Sequence, residues 1–173
     1  MIKYAISKNA RIMFIGINPH HGSYNRGIPF SNNKMFWYLL NRSGIINEPE
    51  AALRQDDNLR YVYKNKFIKN YKLNFTNIIT RPSRSIAELR PGEEVAGRKR
   101  ILNLISRFTP NVVCFIGKVT YEKFLGHAGF DFGWQNDIFN SKAYLMHFPI
   151  RGRADIRVRE LKEVAKVAYN GAN

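Results

Sequence analysis

The feature that most limits the fold of this chain is a regular exchange of short, continuously apolar runs with helix-length amphipathic segments. Residues 11–17 read RIMFIGI, 74–79 NFTNII, 112–116 VVCFI and about 143–148 AYLMHF. A strand that is apolar on both faces belongs to a parallel sheet covered on both sides, whereas a half-exposed strand alternates with polar residues. Between these runs lie 34–44 (KMFWYLLNRSG), a helical pattern stopped by Gly44, and a polar helical stretch over 50–70. Further on come 92–108 (GEEVAGRKRILNLISRF), with Glu93 and Glu94 at the positive end of a helix dipole, then VTYEKFL after Gly117 and Lys118, and a last helix over about 155–169. The pattern predicts an α/β fold, a three-layer α/β/α sandwich around a short, mainly parallel sheet of four strands. The length of 173 residues suits a single domain over 1–173, without repeats, low-complexity tracts or linkers.

In such sheets ligands bind beyond the carboxyl ends of the strands. The loops 18–30, 80–91, 117–118 and 147–157 are therefore the candidate functional segments. The first, within FIGINPHHGSYNRGIPF, offers Asn18, Pro19, His20, His21, Ser23, Tyr24, Arg26 and Phe30. Asn77 stands at the base of the second, which then brings Arg81, Arg84 and Arg90; the third brings Lys118. The fourth, HFPIRGRADIR, sets Arg151, Arg153 and Arg157 around Gly152. Each residue also has a plain structural explanation: Asn before Pro is a common turn residue, and a lone Phe is more often core than platform.

Charge narrows the choice of partner. The 28 Lys and Arg against 13 Asp and Glu leave a net charge of +15, which attracts polyanions: nucleic acid first, an anionic membrane surface second. A cationic rim around amides and an aromatic suits phosphates outside and a planar neutral group inside. No apolar run approaches the ~20 residues of a membrane span, and charges interrupt the start, MIKYAISKNARIMFIG, where a signal peptide would be apolar. The cytoplasm, in association with the nucleoid, is the expected compartment. The single cysteine, Cys114, excludes an internal disulfide and Cys-rich metal sites, and its place in NVVCFIG reads as a small buried residue. The four histidines show no metal-ligand spacing, and neither GxGxxG nor GxxxxGK[ST] occurs, so neither metal nor cofactor is expected.

Taken in order, FIGINP, GIPF, FWYLLNRSGI, FTNIITRPSRSIAEL, GRKRI and CFIGKVTYEKF, over about residues 11–125, resemble the mismatch-specific uracil/thymine-DNA glycosylase family of the uracil-DNA glycosylase superfamily. The resemblance implies a compact α/β/α fold and a monofunctional DNA glycosylase of base excision repair. It implies that a uracil, thymine or other deaminated base is flipped from mismatched double-stranded DNA before its bond to deoxyribose is hydrolysed. It implies that Asn18 positions the attacking water and Phe30 is the face on which the flipped base stacks. Ser23 then falls beside the base's C5, and Asn77 reads the base edge, donating to a carbonyl and accepting from a ring N–H. Backbone groups at Ile17 and Pro19 complete recognition.

The fourth loop departs from the family pattern. His147 stands one place before the position where other branches carry a catalytic His, which makes it a candidate to stabilise the leaving base. Arg151, Gly152 and Arg153 are the candidate wedge, and Arg81, Arg84, Lys118 and Arg157 the further phosphate contacts. The expected partner is duplex DNA, met by a monomer away from any membrane. No Asp or Glu precedes Glu48, so the first loop brings no carboxylate to deprotonate water. Bond-breaking must then run ahead of attack, and the enzyme should be slow, since general base catalysis contributes ~10²–10⁴-fold. Two other readings stay open: a binding protein of this fold without base release, and a hypoxanthine-directed glycosylase.

Overall fold

The computed structural model describes residues 1–170, so the last three residues of the expected 1–173 domain lie outside the described residues. Strands β1 (Ile12–Gly16), β2 (Leu73–Asn77), β3 (Val112–Ile116), β4 (Gly133–Ile138) and β5 (Ser141–Met146) form one sheet in the order β2-β1-β3-β5-β4. The four expected strands are present and parallel, and β4 joins antiparallel to β5 as a fifth. That correction has a simple cause. GWQNDI lies at the sheet edge with every residue at least partly exposed, so it lacks the apolar run by which the inner strands are recognised.

The inner strands carry apolar side chains to both faces. Ile12 and Phe14 of β1, Val112, Cys114 and Ile116 of β3, and Tyr144 and Met146 of β5 share one core. Their partners come from α2 (Met35–Arg42), α3 (Glu50–Leu53), α4 (Asp56–Tyr61) and α7 (Ala154–Asn170). Met13, Ile15, Val113, Phe115, Ala143 and Leu145 face the other way, onto α5 (Glu94–Phe108) and α6 (Lys118–Leu125). Each fully buried Leu, Ile or Phe contributes roughly 1.5–3 kcal/mol, so the period-two alternation fixes the three layers and the strand register together.

Two local differences bear on the site. The loop after β1 contains a short helix, α1 (His21–Arg26), where only loop was expected. The polar stretch over 50–70 is not one helix: α3 and α4 are separate turns, and a π-turn (Val62–Lys66) carries Tyr63 inward. No helix among the described residues is long and apolar enough to cross a membrane.

Candidate active site

The pairings Gly16↔Asn77, Ile15↔Phe115 and Ile116↔Met146 bring the carboxyl ends of β2, β1, β3 and β5 to one edge. The loops that leave this edge carry the candidate residues, and adjacent strands are ~4.8 Å apart.

Asn18 lies two residues past β1 and is half-buried. Its Nδ2 donates to Ser83 Oγ at 2.7 Å and to the Pro19 carbonyl at 3.3 Å. Ser83 is buried, donates its hydroxyl to the Ser85 carbonyl at 2.9 Å, and donates its backbone N–H to the Pro19 carbonyl at 3.1 Å. These bonds fix the amide so that Oδ1, which accepts no hydrogen bond among the described residues, is left as an acceptor. Ile79 N–H takes the Ile17 carbonyl at 2.8 Å. The Ile17 and Pro19 carbonyls, among the backbone groups expected to complete recognition, thus already hold the second loop against the first.

Phe30 is held from both sides. The Trp37 indole, fully buried, donates to the Pro29 carbonyl at 2.7 Å, and Ser31 Oγ donates to the Ile28 carbonyl at 2.9 Å. Between them Phe30 adopts φ +54°, a left-handed conformation costing about 1–2 kcal/mol for a residue with a side chain. Its ring packs 4.6 Å from Phe36 and 5.6 Å, edge to face, from Phe75, and remains half-buried. Asn77, two residues along β2 from Phe75, is buried. Its Nδ2 donates to Tyr4 Oη at 3.2 Å, and its carbonyl accepts from the Arg100 guanidinium. Tyr4 comes from the N-terminal segment, which runs beside β2 with Ala5 accepting from Phe75 N–H at 2.9 Å. Burial, ahead of the lowering effect of the Asn77 bond, pushes the Tyr4 phenol above its usual range. Nothing in the local sequence around Tyr4 signals this role, because only the tertiary fold brings residue 4 to residue 77.

Ser23 is buried in α1 with its hydroxyl accepting from Asn32 N–H at 2.9 Å. His20 caps α1, its Nδ1 accepting from Gly22 N–H at 3.0 Å, which gives the first of the paired histidines a structural role; His21 is exposed.

His147 follows β5 directly. Its Nδ1 lies 3.1 Å from both carboxylate oxygens of Glu160 on α7, and its backbone N–H donates to the same carboxylate at 3.2 and 3.3 Å. The imidazole stacks on Phe132, ring centroids 3.5 Å apart and planes 16° from parallel, and Lys118 Nζ stands 5.8 Å from the Phe132 ring. Glu160 was invisible as a site residue in the sequence, where it reads as one charge on an amphipathic helix.

The cations divide into two groups. Arg84, Lys118 and Arg151 are exposed, with no carboxylate within ion-pair distance among the described residues. Arg153 is exposed and bound bidentately to Asp155 at 2.8 and 3.0 Å. Arg81 is instead fixed on Glu93, the N-cap of α5, at 2.6 and 2.9 Å. Arg157 corrects the expectation of a phosphate contact: it is 5% exposed and donates to the carbonyls of Phe148, Arg151 and Arg153. Its guanidinium therefore shapes the fourth loop from beneath. Gly152, at φ +90°, turns over that guanidinium, and an added Cβ would lie 3.1 Å from both of its terminal nitrogens. Beside it, Phe148 and Ile150 are apolar yet 42% and 43% exposed.

The sequence pattern of the uracil DNA glycosylase superfamily matches residues 4–162, from Tyr4 to Lys162, and so takes in every residue of this site. The chain belongs to that superfamily. Within it, the G/U mismatch-specific uracil DNA glycosylase of Schizosaccharomyces pombe (strain 972 / ATCC 24843) is 29% identical over 159 residues, 86% of this chain and 46% of the relative. The chain thus spans about half the length of this relative. The matched residues include Asn18, Phe30, Asn77 and His147, the candidates at the carboxyl edge of the parallel strands.

Proposed function

We propose that this protein is a monofunctional DNA glycosylase that hydrolyses the N-glycosidic bond of a uracil flipped out of a mismatched duplex, with thymine or another deaminated base as slower substrates. The supporting observation is Asn18: its amide nitrogen is engaged by Ser83 and Pro19, its carbonyl oxygen is unengaged, and no acid occurs in its loop. A water held by that oxygen is oriented but not strongly deprotonated. Such a water suffices when the C1′–N bond breaks first, leaving an oxocarbenium-like sugar near DNA phosphates and an anionic base. The flipped base stacks on Phe30 and its edge meets the Asn77 amide, while Ser23 sits at the 5-position, where bulk decides whether a methyl group is admitted. Fixed dipoles around the departing base stabilise its charge without reorganising.

Arg84, Lys118, Arg151 and Arg153 then contact phosphates, with Arg153 exchanging Asp155 for the backbone. Beside the expected wedge of Arg151, Gly152 and Arg153, the exposed apolar Phe148 and Ile150 are side chains of the kind that insert between base steps and unstack them. The protein acts as a monomer on duplex DNA. A panel of duplexes with uracil, thymine or hypoxanthine opposite G and A, and the same strands unpaired, tests the reading. Uracil opposite G should be released fastest. Tight duplex binding without release of any base would make this a binding protein of the fold, and preferential release of hypoxanthine would reassign its substrate.

A further inference from the structure

Two segments that pack together along the outer side of β2 carry cations and no acid. Residues 1–11, MIKYAISKNAR, bring Lys3, Lys8 and Arg11, and residues 60–72, RYVYKNKFIKNYK, bring Arg60, Lys64, Lys66, Lys69 and Lys72. Hydrogen bonds join the two. Tyr63 Oη donates to the Lys3 carbonyl at 2.7 Å and accepts from Ala5 N–H at 3.1 Å, and Arg11 N–H donates to the Lys72 carbonyl at 2.7 Å. The N-terminal segment is also bonded to the strand itself, Ala5 to Phe75 and Ser7 to Asn74, each at 2.9 Å. It therefore follows β2 from Tyr4, beside Asn77, to Arg11, beside Lys72.

The π-turn Val62–Lys66 helps to build this flank. Phe67 N–H donates to the Val62 carbonyl at 3.0 Å, and the turn buries Tyr63 while Lys64 and Asn65 stay exposed. Such turns are rare and gather at functional sites. Lys66 and Arg60 are answered by Glu48 and Asp57. Lys3, Lys8, Lys64, Lys69 and Lys72 are exposed, with no carboxylate within ion-pair distance among the described residues. Like charges on adjoining segments repel one another, and a surface serving solubility alone would intersperse both signs. A polyanion laid along the flank relieves that repulsion and releases its own counterions. The substrate duplex of the reading above is seated elsewhere, over the carboxyl ends of the strands. Lys72 directly precedes β2 and Lys69 stands in the turn leading into it, where Leu73 N–H donates to the Phe67 carbonyl at 2.9 Å. With Lys8 they mark the amino end of the strand, opposite the candidate active site.

We infer that this flank is a second DNA-binding surface, which holds the backbone of another duplex segment while the carboxyl edge holds the substrate. The inference takes its partner from the glycosylase reading above. Lysine ammonium groups are compact point charges suited to phosphates, so the flank binds duplex without regard to sequence. A chain held at two places passes from one duplex to the next without becoming free, which shortens its search for a rare mismatch.

Two measurements test the inference in wild type, in the single variants Lys8→Gln, Lys69→Gln and Lys72→Gln, and in the triple variant, with thermal unfolding recorded alongside. Sedimentation velocity with a short duplex counts the duplexes on each chain. Stopped-flow dissociation from a labelled G:U duplex is followed against rising concentrations of an unlabelled, undamaged duplex. Wild type should carry two duplexes per chain and dissociate faster as competitor rises. The triple variant should bind the second duplex at least about tenfold more weakly, its salt slope falling by about 0.9 for each lysine removed. Its dissociation should not respond to competitor, and its single-turnover base release at saturating protein should match wild type. One duplex per wild-type chain, a complex of two chains with two duplexes, or wild-type dissociation indifferent to competitor would overturn the inference. So would a triple variant that matches wild type in both measurements, or one that loses base release and first-duplex affinity together, which would put these lysines on the path of the substrate. Capture of single-stranded RNA in place of the second duplex would overturn it as well. Wild type that binds two duplexes but releases no base removes the glycosylase reading and leaves the inference standing.

Discussion

Asn18 donates its side-chain amide to Ser83 Oγ over 2.7 Å, and Ser83 returns its backbone N–H to the Pro19 carbonyl over 3.1 Å. The loops after β1 and β2 are thereby joined at the residue proposed to hold water. Removing the hydroxyl frees the amide to rotate and lets Nδ2 and Oδ1 exchange places. A single hydrogen bond is worth about 0.5–1.5 kcal/mol, so Ser83→Ala should slow single-turnover base release roughly two- to tenfold. Affinity for an undamaged duplex, measured by anisotropy, should not change.

The fourth loop yields a contrast between neighbouring arginines. Arg151 and Arg153 are exposed, while Arg157 is buried with its guanidinium on three backbone carbonyls. Arg151→Ala and Arg153→Ala should each reduce the slope of log K against log salt by about 0.9, the loss of one phosphate contact. Arg157→Ala should instead loosen the loop, seen as faster proteolysis between residues 148 and 153. A salt slope unaltered by the first two variants would turn this loop away from DNA.

Gly97 on α5 sits against the end of β2, where an added Cβ would lie 1.8 Å from the Ile78 carbonyl oxygen. Backbone cannot yield as a side chain can, so Gly97→Ala must push α5 away from the strand that carries Asn77. Overpacking of this kind costs about 1–3 kcal/mol or more. At about 2–4 °C per kcal/mol for a chain of this size, the melting temperature should fall by several degrees.

The loop after β2 should respond to acid. Glu93 is held at a pKa of about 2, first by the Arg81 side chain and then by the Arg90 backbone N–H. Its folded value is depressed, so the contact is at full strength above the ordinary carboxylate range and is lost as pH falls toward about 2. In an NMR titration the Arg81 Nε–H and Arg90 N–H resonances should move with a midpoint near 2, and in Glu93→Gln they should not titrate.

What the sequence revealed and what it hid follow from the range of the interactions concerned. The inner strands were legible because burial on both faces leaves a continuous apolar run, and the loops beyond their ends because parallel topology puts sites there. Strand β4 was hidden because an edge strand such as GWQNDI satisfies no such pattern. The arginines of 151–157 could be counted but not sorted, since only the fold decides that Arg157 points inward. Tyr4 meets Asn77 and Glu160 meets His147 through tertiary contacts across 73 and 13 residues, with no local periodicity to announce them.

Uracil release by Asn18→Ala, under single-turnover conditions on a G:U duplex and with duplex affinity measured on the same preparation, bears on the whole mechanism. Loss of the oriented acceptor should lower release by at least about 10²-fold while affinity stays within about twofold of wild type. Release at the wild-type rate by a folded, DNA-bound Asn18→Ala protein would mean that water is held elsewhere and that the strand edge after β1 is not the catalytic centre.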